Sequence, residues 1–142
     1  MNAANPWAGI NTSLAVTKVE MDSDFVNETL GFKKLALVES GPIISSGSNW
    51  WAYTFDERVS RDLDEQVASL VSQITPRLDG VKKLQDAGYA VQVAIAGTVD
   101  TGDQLCVSPR IIGMLATLGI ATSFTTLTTS GTREEDPLSW LD

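Results

Sequence analysis

Apolar positions recur along this chain in two rhythms, one of period two and one near 3.6, and together they predict the elements. "SLAVTKVEM" (Ser13–Met21) is rich in β-branched residues and predicts a first strand. "DSDFVNETLG" predicts a short helix. Asp22 or Ser23 can supply its N-cap, and Gly31 stands where a left-handed C-cap is wanted. "FKKLALVESGPIISSGS" reads as a mostly extended connection that closes in a Gly/Ser/Pro turn region.

"GSNWWAYTF" (Gly47–Phe55) predicts the next strand. Successive side chains on a strand point to opposite faces. Trp51, Tyr53 and Phe55 therefore share one face, and Trp50, Ala52 and Thr54 the other. The continuously aromatic set is the core face, which leaves Trp50 outside it. Two readings of Trp50 are open: a helix or the N-terminal arm covers it, or it anchors a partner.

"DLDEQVASLVSQI" carries Leu63, Val67, Leu70, Val71 and Ile74 at helical spacing, and Asp62 with Glu65 fits a capping box. Thr75-Pro76 breaks this helix and Pro76 can begin another, whose stripe of Leu78, Val81 and Leu84 runs to Gly88. "YAVQVAIAGTV" (Tyr89–Val99) is almost uninterrupted apolar sequence and predicts a central strand buried on both faces. "SPRIIGMLATLG" has Ser108 to cap a helix, Pro109 in its first turn and Gly119 to end it. "IATSFTTLTT" predicts a last strand, its threonines pointing to a partly exposed face or an edge.

The order β-α-β-α-β-α-β predicts a single-domain α/β (α+β) sandwich over residues 14–129. Its four- or five-stranded mixed sheet carries helices mainly on one face and is loosely ferredoxin-like. Residues 1–13 read as a flexible N-terminal arm, and residues 130–142 as an acidic tail.

Length and charge narrow the function. The 142 residues suit one domain with a sizeable core. A net charge of −8 repels phosphate backbones, so nucleic acid is an unsuitable partner, whereas a basic protein would be steered inward. No apolar run reaches the roughly 18 residues of a membrane span. "MNAANPWAGINTS" lacks the basic and apolar regions of a secretory signal, so a cytoplasmic location is expected.

The chain has no histidine and a single cysteine, Cys106. This removes Ser-His-Asp and Cys-His mechanisms, the commonest zinc ligand sets and an internal disulfide. Asp-Thr-Gly in "TVDTGD" matches the aspartic-protease triplet, but "IIG" follows too soon and inside a predicted helix. Ordinary turn chemistry accounts for Asp100 and Asp103, and packing before a helix accounts for Cys106. No catalytic residue, metal ligand or cofactor is assigned. "DERVSRDLDE" (Asp56–Glu65) follows the Trp strand directly. It reads either as a helix N-terminus furnished with carboxylates, or as a recognition patch in which Trp50 stands beside Asp56, Glu57, Asp62 and Asp64.

The segments "VNETLGF", "SGSNWWAYTF", "LDEQVASLVSQITPRLDGVKKLQDAGYAVQVAIAG" and "LCVSPRIIGMLATLGIATSFTTLTT" resemble the bacterial domain of unknown function 4279. The resemblance covers roughly residues 14–129 by order and pattern. It implies an α/β single domain in a bacterial or phage setting and brings no catalytic residues with it. The expected function is a non-enzymatic protein-binding module, such as a neutralising protein of bacterial or phage conflict. The alternative is a small-molecule-binding or sensory domain with its pocket between sheet and helices. Oligomeric state is left open.

Overall fold

The computed structural model describes residues 8–32, 41–99 and 107–128. Strand β1 (Ala8–Thr17) leads to helix α1 (Ser23–Leu30), then to a hairpin of β2 (Ile43–Ser46) and β3 (Trp50–Phe55). Helix α2 (Leu63–Ile74), a 3-10 turn (Thr75–Arg77) and α3 (Leu78–Asp86) return the chain to β4 (Ala90–Val99). Helix α4 (Pro109–Leu118) connects β4 to β5 (Thr122–Thr128).

The five strands lie in the order β2-β3-β1-β4-β5. Neighbours are antiparallel except β4 and β5, which are parallel across the α4 crossover. Up to β4 this is the split β-α-β arrangement of a ferredoxin-like sheet, and α4–β5 adds a fifth strand at the β4 edge. The α+β class is as expected, but two strands, not one, lie between the first two helices. The extra strand is "IISS", four residues inside the Gly/Ser/Pro-rich connection, where too few apolar positions alternate to mark it.

The helices start and stop where their caps stand. Asp22 accepts from the Phe25 N–H at 3.1 Å and Gly31 ends α1 at φ 81°. Ser108 accepts from the Ile111 N–H at 3.2 Å, with Pro109 at the first turn and Gly119 at φ 67°. At α2 the expected capping box is rearranged. Asp62 caps Asp64, but Glu65 is engaged by the Ser60 hydroxyl, whose oxygen accepts from the Asp62 N–H instead.

All four helices cover one face of the sheet, and the core fills that interface: Leu14 and Val16 from β1, Trp51, Tyr53 and Phe55 from β3, Val91, Val93 and Ile95 from β4. Two expectations are corrected here. The first strand begins at Ala8, not Ser13, and Ile10 and Thr12 are buried, so residues 8–13 belong to the domain and not to an arm. Strand β4 is interior, between β1 and β5, but it is buried on one face only. Ala90 and Gln92 are exposed and Ala94 and Ala96 half-exposed on the side away from the helices. Alanine is apolar enough to extend a hydrophobic run and small enough to tolerate water, which is why the pattern suggested burial on both sides. Residues 1–7 and the acidic tail lie outside the described residues, as do Asp100, Asp103 and Cys106.

Helix α3 approaches α1 closely at Gly80, where an added Cβ would stand 2.6 Å from the Thr29 carbonyl oxygen. Backbone cannot yield as a side chain can. Gly80→Ala is expected to destabilise the fold by about 1–3 kcal/mol, the range for overpacking. A urea midpoint equal to that of the parent would contradict this close approach.

Candidate functional site

The adjacent tryptophans part as their strand requires. Trp51 is 0% exposed, whereas Trp50 is 42% exposed on the helix-free face. The buried indole is also anchored: its Nε1–H donates to Asn27 Oδ1 of α1 at 2.9 Å, and Phe32 stacks on it at 6.0 Å. Phe32 in turn packs on Tyr53 at 4.5 Å and lies under the Arg77 guanidinium, also at 4.5 Å. Burial raises the Tyr53 hydroxyl above its ordinary pKa, and the Arg77 charge works against that rise. This cluster is packing chemistry that ties α1 and the 3-10 turn to β3.

Among the described residues no helix lies over Trp50. Its indole lies against Gly47 in the β2–β3 turn, where any Cβ would collide with the ring, and the Gly47 N–H donates to the Trp50 carbonyl at 2.8 Å. The ring forms one wall of an open depression of about 530 Å³, with Thr17, Lys18, Val19, Asn49 and Ala90 around it. Val19, 91% exposed, adds a second apolar group there.

Strand register shows what extends from that depression. Thr17 pairs with Trp50 and Ala90, Ala15 with Ala52 and Gln92, and Ser13 with Thr54 and Ala94. Asn11 pairs with Ala96, while Ser123 and Thr125 of β5 continue the row beside Ala94 and Ala96. Ser13 and Thr54 join hydroxyls at 2.9 Å near the middle. Among these described positions none is charged, in a chain of net charge −8. The footprint is on the order of 400 Å² from strand spacing and rise, made of alanines and neutral polar side chains around Trp50.

The carboxylates expected beside Trp50 are elsewhere. Asp56 and Glu57 lie beyond the other end of β3, roughly 20 Å away at a strand's rise per residue. Asp56 there accepts from Arg58 Nε at 3.0 Å, and Glu57 accepts from the Gly9 N–H at 3.2 Å. Asp62 caps α2, and Asp64 accepts from the Ser108 hydroxyl at 3.3 Å with Arg110 at 3.9 Å, so both belong to the helical layer. The patch of five residues is therefore corrected. Trp50 stands at one end of the open face, the Asp56–Arg58 pair rims the other, and Asp62 and Asp64 are on the far side of the sheet.

The polar side chain that the pattern did not single out is Gln66, 0% exposed on α2. Its Nε2 donates to the Ile10 and Ser60 carbonyls at 2.9 and 2.7 Å, and its Oε1 accepts from the Thr12 hydroxyl at 3.1 Å. Both donors are used and the oxygen accepts one bond, so the group holds α2 to β1. A polar residue in the buried stripe between Leu63 and Leu70 was the available signal.

The family model for a domain of unknown function, DUF4279, matches residues 8–129, from the first residue of β1 to just past β5. The chain belongs to this family. No curated protein and no solved structure matches it significantly. The DUF4279 match takes in both the helical layer and the open sheet face, and it starts at the strand residues Ala8–Ser13 that composition had assigned to an arm. Among the described residues of this DUF4279 domain, no helix is long and apolar enough to cross a membrane.

Proposed function

We propose that this domain is a protein-binding module that docks its partner on the helix-free face of the sheet, with Trp50 as the anchor. The observation that carries the reading is a row of uncharged side chains on the helix-free face, bordered by Lys18, with a large aromatic side chain 42% exposed at its end. Interfaces deplete charge at their centre and concentrate energy in such aromatics. The net charge of −8 favours a basic partner at long range, with Lys18 the charged side chain on the wall of the Trp50 depression. Such long-range complementarity speeds the encounter more than it tightens it. A neutralising protein, one that occupies a toxic basic partner without chemistry of its own, fits this arrangement.

A partner isolated by affinity capture from the native organism provides the titration. Trp50→Ala is expected to weaken its binding by about 2 kcal/mol or more, roughly 30-fold, while costing about 1 kcal/mol or less of stability. Normal binding by Trp50→Ala would leave the exposed indole as architecture and remove the anchor. A small molecule seen in the depression beside Trp50 and Lys18 would favour a sensory domain instead.

A further inference from the structure

The free edge of β5 is a second surface, independent of the helix-free face. The Val93 N–H donates to the Ala121 carbonyl at 2.8 Å, and Val93 is in register with Thr122. In a parallel ladder this directs the odd-numbered residues of β5 toward β4 and turns the N–H and C=O of Thr122, Phe124 and Thr126 outward. Among the described residues nothing pairs with that edge. Natural edges are blunted by charge, proline, bulges or short length. The opposite edge, β2, has only four residues, whereas β5 has seven and carries neither charge nor proline.

Beside the edge, α4 and β5 enclose a groove of about 250 Å³ formed by Ile112, Leu115, Ala116, Ile120, Thr122 and Phe124. Ile112 is 58% and Phe124 45% exposed. Across Pro109–Thr128 the only charged side chain is Arg110. We propose that the occupant of this edge is a second copy of the chain, its β5 added antiparallel to form one continuous ten-stranded sheet.

Three observations favour a second copy. Centring the pair on Thr125 sets Phe124 opposite Thr126 of the partner subunit, so the outward backbone groups meet as hydrogen-bonded pairs. The two Phe124 rings then lie diagonally across the seam, within reach of each other, each continuing the Ile112 groove of its own copy. Two chains of charge −8 repel least where each offers few acidic groups, and the α4–β5 unit carries none, Arg110 being its one charge. Strand length and layer depth remove on the order of 1,000 Å² of surface, the floor for a specific interface, so the dimer is concentration-dependent.

Sedimentation velocity of the full chain across a wide concentration range tests this. The mass is expected to rise from 15.2 kDa toward twice that value. Thr126→Pro removes an outward N–H and spares the β4–β5 ladder, and Phe124→Asp or Ile112→Asp charges the groove without touching backbone. Each is expected to weaken association by roughly tenfold or more, and the two side-chain variants guard against misfolding of the proline variant. Trp50→Ala is expected to leave it unchanged, which separates this proposal from partner binding on the open face. A monomer at every concentration would overturn it. So would a dimer that survives the groove variants or is lost in Trp50→Ala.

Discussion

Trp51→Ala is expected to lower stability by about 3–5 kcal/mol, the range for truncating a large buried aromatic, while its neighbour Trp50→Ala costs about 1 kcal/mol or less. The difference arises from one peptide unit of strand geometry. Trp51 is fully buried between Phe32 and the strand neighbour Val16, and its indole N–H is bonded to Asn27. Truncation leaves a cavity beneath α1 and frees that helix from β3. With total stabilities of about 5–15 kcal/mol for native domains, such a loss leaves the fold close to its limit. Trp51→Phe keeps most of the ring and loses the hydrogen bond, so a smaller cost is expected. Urea denaturation of the three variants provides the comparison, and equal costs at positions 50 and 51 would contradict the assignment of faces.

Gln66→Leu is expected to cost about 3 kcal/mol, because each buried polar group left unpaired carries a penalty of about 1–3 kcal/mol. The substitution keeps the side chain's bulk and adds apolar surface, so a hydrophobicity scale alone would predict stabilisation. It strands the Ile10 carbonyl and the Thr12 hydroxyl in the interior and takes the donor from the half-buried Ser60 carbonyl. Thr12→Val on the Gln66→Leu background is expected to cost less than on the parent, since the hydroxyl it removes has already lost its acceptor. Additive costs in that double-mutant cycle, or a Gln66→Leu chain as stable as the parent, would refute the network.

What the sequence revealed follows from what each pattern measures. The separation of Trp50 from Trp51 needed only the two-residue period, and the caps at Asp22, Gly31, Ser108 and Gly119 are local chemistry. The threonine-rich β5 is an edge for the reason its composition suggested: it fits a half-solvated strand. Burial on the second face of a sheet is a tertiary property. "AGINTS" was hard to recognise as a strand because polar residues break its apolar alternation: Asn11 is half-exposed away from the described helices, and Ser13 is buried with its hydroxyl paired to Thr54. The alanines of β4 misled in the opposite direction. The candidate site suffered from reading adjacency along the chain as adjacency in space. Asp56 follows Trp50 closely in sequence, but an extended strand carries it to the far rim, and Asp62 and Asp64 continue into the helical layer.

One charge placed in the middle of the helix-free face shows whether that face binds the partner. Ala15 lies between Ala52 and Gln92, half-exposed on the face opposite the core. Wild type, Ala15→Arg and the control Thr117→Arg, on the exposed side of α4, are compared as baits in extract of the native organism, with bound proteins quantified by mass spectrometry. The expected result is a partner retained by wild type and Thr117→Arg and lost by Ala15→Arg at unchanged melting temperature. The same partner held equally by all three would contradict it.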